Sequence, residues 1–353
     1  EGAEIFFGGM GDHWNVPACD FDPTGDYDTK IHQTVDFHTQ AVREWTADHI
    51  RAGVHSTELF ADATIDFLRH QHAGDRPFFS YVSFMAPHDP RTMPDKFLHL
   101  YPADEIELPA NFMSEHPFDN GELTIRDEVL AAHPRSEAET REHLAAYYAM
   151  ISHVDHHIGR VLTALDEEGL RDDTIIVFAG DNGLAVGQHG LFGKQSVYDH
   201  SVHVPLIFAG PNIPQGQQRD ALTGLIDIFP TLCDLANVET PDSVEGCSLS
   251  PVFEDEEESV REYFHFAYRH LMRGVRDEAG LKLIETAVDG ARHTQLFDLA
   301  EDPLETRDLS DVGEHVDNLA SLREALQAGW CDEYGDTDGE QGQHFWEAME
   351  WAQ

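Results

Sequence analysis

At 353 residues with 41% hydrophobic content, the chain can bury a sizeable core, enough for one large domain and a smaller one. A formal charge of −45, from 67 acidic residues against 22 Lys and Arg, excludes nucleic acid and anionic membranes as partners. The hydrophobic content argues against disorder as the source of this charge and favours a folded protein adapted to high salt. Such a protein should melt at a higher temperature in multimolar KCl than in dilute buffer, and the opposite order of melts contradicts the reading. No run reaches transmembrane length and no signal peptide is visible, which leans towards a cytoplasmic location, although the chain opens EGAEIFFGGM without an initiator Met. Cys19, Cys233, Cys247 and Cys331 match no zinc spacing and are too few for a disulfide framework.

In chain order, residues 1–28 are rich in Gly and Asp and read as a loop, in which Gly8-Gly9-Met10-Gly11-Asp12-His13-Trp14 either lines a pocket or is plain surface. From Glu58, ELFADATIDFLRHQ carries apolar residues at helical spacing. Pro77 to Phe84, with its aromatic and β-branched bias, reads as a buried strand. It runs into Ala86-Pro87-His88-Asp89-Pro90, which fixes His88 between prolines just past the strand end. Residues 91–139 show little periodicity and form a long excursion of the kind that shapes a cleft. Residues 142–168 predict a helix that Gly169 ends. His153, His156 and His157 lie on it among Ile151, Val154, Ile158, Val161 and Leu165, and in the absence of an HExxH pattern they read as structural.

The central stretch is TIIVFAGDNGLAVGQHGLFGK, from Thr174 to Lys194. Thr174 to Phe178 reads as a strand buried on both faces. Asp181 and Asn182 follow it at the strand's C-terminal end, where open α/β sheets bind ligands, and their hard oxygens suit Ca²⁺ or Mg²⁺. The same residues also spell a simple Asp-Asn-Gly turn. Glycines at 180, 183, 187, 190 and 193 let the backbone turn sharply around a small anion. Lys194 adds a point positive charge in a chain with only three other lysines, Lys30, Lys96 and Lys282.

A strand at residues 204–209 and a helix at residues 226–236 follow. An acidic linker near residues 254–258 predicts a boundary, with residues 1–253 as the larger domain and 254–353 as the smaller. Strand-like runs at 263–268, 272–276, 281–286 and 294–299 suggest a small antiparallel sheet, and residues 319–329 a helix. Residues 331–343 read as an acidic loop, and the aromatics of the tail HFWEAMEWAQ suit a docked short helix. Helix then strand, repeated, with candidate site residues at strand ends, is the doubly wound α/β class with a mostly parallel sheet flanked by helices.

Five ordered blocks carry a specific resemblance: FSYVSFMAPHDP, YYAMISHVDHHIGRVLTALDEEGLRDDTIIVFAGDNG, GQHGLFGKQSVYDHSVHVPLIFAGP, IDIFPTLCDLANV and LFDLAEDPLETRDLS. In this order they resemble the sulfatase family, of alkaline phosphatase-like fold, over most of residues 58–310. The resemblance implies a small-molecule or carbohydrate sulfate ester as substrate and a divalent cation, usually Ca²⁺, held by Asp181 and Asn182. It implies that Lys194 binds a sulfate oxygen and that His88 contacts the ester and assists the leaving alcohol. His189, in Gly-Gln-His-Gly, either touches substrate or fixes the loop. A cation, an ammonium and an imidazole around one sulfuryl group would stabilise the charge that develops on cleavage.

One departure matters. The family's nucleophile is a formylglycine made within a Cys/Ser-x-Pro-x-Arg motif, and none of the four cysteines has Pro two residues on, nor does Ser-x-Pro-x-Arg occur. The family's N-terminal Asp-Asp metal ligands are missing as well. Three readings stand: a sulfuric ester hydrolase represented by part of its domain, a phosphodiesterase- or phosphatase-like relative, or a non-catalytic anion-binding protein. The second wants two metals and more His and Asp ligands, and Asn182, where such relatives place His, argues against it.

Overall fold

The computed structural model describes residues 55–71, 77–255, 258–349 and 351, together with the backbone of five short strands ahead of residue 51. The chain separates into two compact units, residues 1–107 with 141–174, and residues 108–140 with 175–353.

In the first unit, β1 (Phe6–Gly8), β2 (Pro17–Phe21) and β5 (His49–Ile50) form an antiparallel sheet, while β3 (Lys30–Val35) pairs with β4 (Val42–Ala47). The stretch expected as loop over residues 1–28 thus contains two paired strands; residues 9–16, with most of the Gly-Gly-Met-Gly-Asp-His-Trp segment, lie outside the described residues. The apolar periodicity from Glu58 produces α1 (Ser56–Asp66), whose first turn is capped by His55, the ring Nδ1 accepting from Thr57 N–H at 3.2 Å. Pro77 to Phe84 forms no strand and joins no ladder among the described residues, and Phe79 and Tyr81 stand about four-fifths exposed (78% and 82%). The expected buried strand is corrected here: strand-prone residues set φ and ψ, but a strand also needs a neighbour for its backbone N–H and C=O groups.

A short α2 (Asp95–Leu98) packs Phe97 with Met93, Ala86, Ala149 and Met150. The last two belong to α3 (Glu137–Glu167), which begins several residues before the periodicity predicted. Gly169, at φ +69°, ends it, with Leu170 N–H bonding back to Leu165 O at 3.0 Å. His153 and His157 of α3 are buried. His153 is buried with its ring 4.5 Å from that of His55, 4.8 Å from His157 and 4.9 Å from Phe97. Burial, then the neighbouring His55 and His157, push its pKa down to about 3, so it packs as a neutral ring.

In the second unit, β6 (Ile176–Ala179) leads through the Gly-rich loop and the single turn α4 (Asp199–Val202) to β7 (Leu206–Ala209). The two strands pair antiparallel, Val177 opposite Phe208, where the alternation of helix and strand had predicted parallel neighbours. β6 is also less buried than expected, with Phe178 at 40% exposure, because a two-stranded ladder covers little of either face. α5 (Ile228–Leu235) and α6 (Ser250–Glu254) follow.

The C-terminal region forms the expected antiparallel sheet: β8 (Tyr263–Tyr268), β9 (Met272–Asp277), β10 (Leu281–Val288) and β11 (Ala291–Asp298), paired in sequence order. Both faces of β10 are buried because both are covered. Ile284 and Val288 pack with Phe297 against Ala185, Leu191, Val197 and Tyr198 of the Gly-rich loop. Leu283 and Ala287 pack with Leu296 against Leu322 and Leu326 of α7 (Val316–Gln327) and Phe345 and Trp346 of α8 (Glu340–Ala348). Each such side chain contributes roughly 1.5–3 kcal/mol on burial. The sheet therefore acts as a base plate for the loop that carries Lys194.

Candidate functional site

The loop begins where β6 stops. Gly180 N–H donates to Pro205 O at 3.1 Å and Gly183 N–H to Ser201 O at 2.9 Å, which ties the turn to the strand that returns. A Cβ on Gly183 would lie 2.0 Å from His200 O, so only glycine fits there. Asp181 and Asn182 are thereby held exposed at the strand end, and Asp181 Oδ1 accepts from Asn182 N–H at 2.9 Å. The loop then closes on itself through Ala185 N–H to Gly193 O at 2.9 Å and Gly187 N–H to Leu191 O at 2.8 Å. Asn182 and Lys194 consequently flank one closed loop.

Lys194 is half-buried, and among the described residues its ammonium makes no ion pair, in a chain where acidic residues outnumber basic ones threefold. Its backbone N–H donates to Gln195 Oε1 at 2.9 Å, and Gln195 Nε2 donates to Asp127 Oδ2 at 2.8 Å. The adjacent amides of Phe192 and Gly193 donate to the carboxylate of Glu128, at 2.9 and 2.8 Å. Glu128 in turn pairs with the buried Arg135. Sequence reasoning missed Asp127, Glu128 and Arg135, since they lie in the excursion with no periodic signal.

His189 is buried at φ +52° and stacks on Tyr198, with ring centroids 4.2 Å apart and planes at 10°. Its Nε2 accepts from Asn111 Nδ2 at 3.3 Å, its N–H donates to Asn111 O at 2.8 Å, and His116 Nδ1 donates to its carbonyl at 2.8 Å. Burial, then His116 and Lys282, push its pKa down to about 4. Below this stack Lys282, fully buried, donates to Asp199 Oδ1 at 2.5 Å and Glu305 Oε1 at 2.7 Å. Burial opposes ionisation of Asp199, but hydrogen bonding from His203 and the charge of Lys282 hold it well below the usual carboxylate range, while burial raises Glu305.

His88 belongs to the first unit. It is part-exposed just past residues 77–84, with its N–H bonded to Met85 O at 3.0 Å and its Nδ1 2.8 Å from Asp89 O. Among the described residues no group of three or more His, Cys, Asp or Glu side chains is arranged to hold a metal, and Asp181 and Asn182 offer two hard oxygens where such cations take about six or more.

With this geometry in hand, comparison with known proteins is specific. The Sulfatase family profile matches residues 9–238, and the profile described as N-sulphoglucosamine sulphohydrolase, C-terminal, matches residues 187–330. An arylsulfatase of Clostridium perfringens is 31% identical over 304 residues, covering 83% of this chain and 60% of that protein. The chain thus spans less than two thirds of that relative's length. Among solved structures, a protein in complex with its substrate D-glucosamine-2-N,6-O-disulfate superposes with a TM-score of 0.69 at 22% identity, over 89% of this chain and 77% of that one. A phosphonate monoester hydrolase from Silicibacter pomeroyi superposes with a TM-score of 0.64 at 26% identity, over 78% and 63%.

Proposed function

The chain belongs to the sulfatase family, and from that premise we propose that it carries the ester-binding function of a sulfuric ester hydrolase, directed at a sulfate monoester of a small molecule or carbohydrate. The observation that supports this most directly is the half-buried ammonium of Lys194, which makes no ion pair among the described residues, at the lip of a closed Gly-rich loop. An acidic chain with few lysines gains nothing in stability from leaving one without a carboxylate. An anionic ester is the partner that such a group suits. In this reading Lys194 holds a sulfate oxygen and His88 passes a proton to the leaving alcohol. His189 fixes the loop by its stack on Tyr198 rather than touching substrate.

Asp181 and Asn182 are two ligands of a divalent cation, Ca²⁺ before Mg²⁺, which would neutralise ester charge when bound. They fit such an ion in kind but not in number, so the chemistry derived for this chain rests on Lys194 and His88. The family's formylglycine motif does not occur in residues 1–353, and covalent attack on sulfur needs such a nucleophile. A phosphate or phosphonate ester is the second reading, favoured by the likeness to the phosphonate monoester hydrolase.

Calorimetric titration of this chain with 4-nitrophenyl sulfate and with phenylphosphonate tests both readings. The sulfate ester should bind more tightly, without measurable turnover, and Lys194→Ala should weaken it roughly tenfold or more, as for loss of a hydrogen bond between charged groups. Preference for the phosphonate selects the second reading, robust turnover reveals a nucleophile elsewhere in the chain, and wild-type affinity in Lys194→Ala removes that residue from the site.

A further inference from the structure

We propose that Glu128, together with Arg135 and the Asp127–Gln195 pair, is a positioning clamp that presents Lys194 to its anion. The proposal rests on the reading of Lys194 as the anion-binding group. Three successive backbone amides, at Phe192, Gly193 and Lys194, are each held by a side chain: the first two by the two oxygens of Glu128, the third by Gln195 Oε1. Gln195 is itself oriented by Asp127, so residues 127 and 128 between them fix the backbone on both sides of the Lys194 Cα.

The clamp is built rather than incidental. Glu128 and Arg135 are both only 3% exposed. Arg135 donates Nε to Gly190 O at 3.1 Å and Nη1 to the carbonyls of Glu128 and Ala131 at 2.8 and 2.7 Å, while Nη2 meets the Glu128 carboxylate and the guanidinium lies 4.7 Å over the Phe192 ring. One buried cation therefore grips the Gly-rich loop at Gly190 and the excursion at residues 128–131 together. Burial raises the pKa of Glu128, with the Phe192 and Gly193 amides and Arg135 opposing the rise, and the carboxylate–guanidinium contact is among the stronger hydrogen-bonded pairs. Gly193 completes the fit: a Cβ there would fall 2.8 Å from Glu128 Oε1 and 2.4 Å from Gln195 Oε1. Closing the loop on itself needs none of these side chains, since Ala185 and Gly187 already bond backbone to backbone across it. What the clamp adds is the direction of the segment from which Lys194 departs.

The chain has four lysines, which makes the test direct. Reductive ¹³C-methylation gives a small set of lysine resonances, with that of Lys194 identified by its loss in Lys194→Ala. Inorganic sulfate is titrated while the Lys194 resonance and the melting temperature are followed in wild type, Glu128→Gln and Gln195→Ala. The clamp predicts that both variants weaken sulfate binding read at Lys194 by roughly ten- to a hundredfold, as for groups that orient a ligating side chain. Gln195→Ala, at a half-buried position, should do so with little change in melting temperature. A merely structural role predicts a lower melting temperature with wild-type affinity in the folded protein, and that result overturns the proposal. Should Glu128→Gln fail to fold, Gln195→Ala alone decides. If wild type and Lys194→Ala bind sulfate equally, the reading of Lys194 is what fails; if only Lys194→Ala weakens binding, the clamp fails and that reading stands.

Discussion

Two lysines of the second unit occupy opposite electrostatic situations. Lys282, on β10, is fully buried with two carboxylates, Asp199 and Glu305, and its ammonium lies 5.2 Å from the Phe266 ring centre. Lys194, on the loop that packs over the same sheet, is half-exposed and meets no carboxylate at ion-pair distance among the described residues. Around Lys282 the side chains satisfy the ammonium; around Lys194 they satisfy the backbone, and among the described residues none forms an ion pair with the ammonium. Buried charge demands partners whatever the protein does, whereas an unpaired surface ammonium is free to take a ligand. The first arrangement is structural, and the second suits the anion-binding role proposed for Lys194.

The largest expected effect comes from breaking the first arrangement. Lys282→Met should destabilise the fold by about 3–5 kcal/mol, because Asp199 and Glu305 would remain buried without their cation. Urea denaturation measures this, and a loss below about 1 kcal/mol would show that the pairs only balance their own desolvation. Lys194→Ala, by contrast, should change stability by no more than about 0.5 kcal/mol, so that any loss of sulfate binding is read in a folded protein.

Between these limits lies acid. His189 has a folded-state pKa lowered to about 4, so it takes a proton more readily when unfolded. Its contribution is fully present above about pH 6.5 and is lost as pH falls through about 4, amounting to roughly 3 kcal/mol. Melting temperature should therefore fall across this window, and less steeply in His189→Asn, since asparagine tolerates positive φ but does not titrate. An unchanged slope in that variant would assign the acid sensitivity to other buried histidines, such as His153.

Much of this was legible in local pattern. The helical spacing of α1, α3 and α7, the four strands of the C-terminal sheet and the docking of the aromatic tail, with Phe345 and Trp346 buried, follow from periodicity and residue type. The Asp181-Asn182-Gly183 turn and Lys194 were visible as chemistry at the end of an apolar run. The segment Pro77–Phe84 shows the limit: its residues favour extended backbone, yet it forms no strand and no ladder among the described residues. The antiparallel pairing of β6 with β7 was equally hidden, because a short apolar run has the same composition whichever way its neighbour points.

The sequence by itself determined where the chain bends and which residues carry charge, apolar bulk or metal-compatible oxygen, because those properties are set within a few residues along the backbone. It also carried the family, through motifs whose order survives without any structure. Only the tertiary structure decided which charges are spent. Glu128 reaches Phe192 and Gly193 across more than sixty residues, and Lys282 meets Asp199 across eighty-three. Neither pairing has a local signature, since an isolated Glu or Lys looks the same in solvent and in a buried clamp. Desolvation makes the difference: folding removes water from these groups and forces each to find a partner, while Lys194, half-buried, makes no ion pair among the described residues.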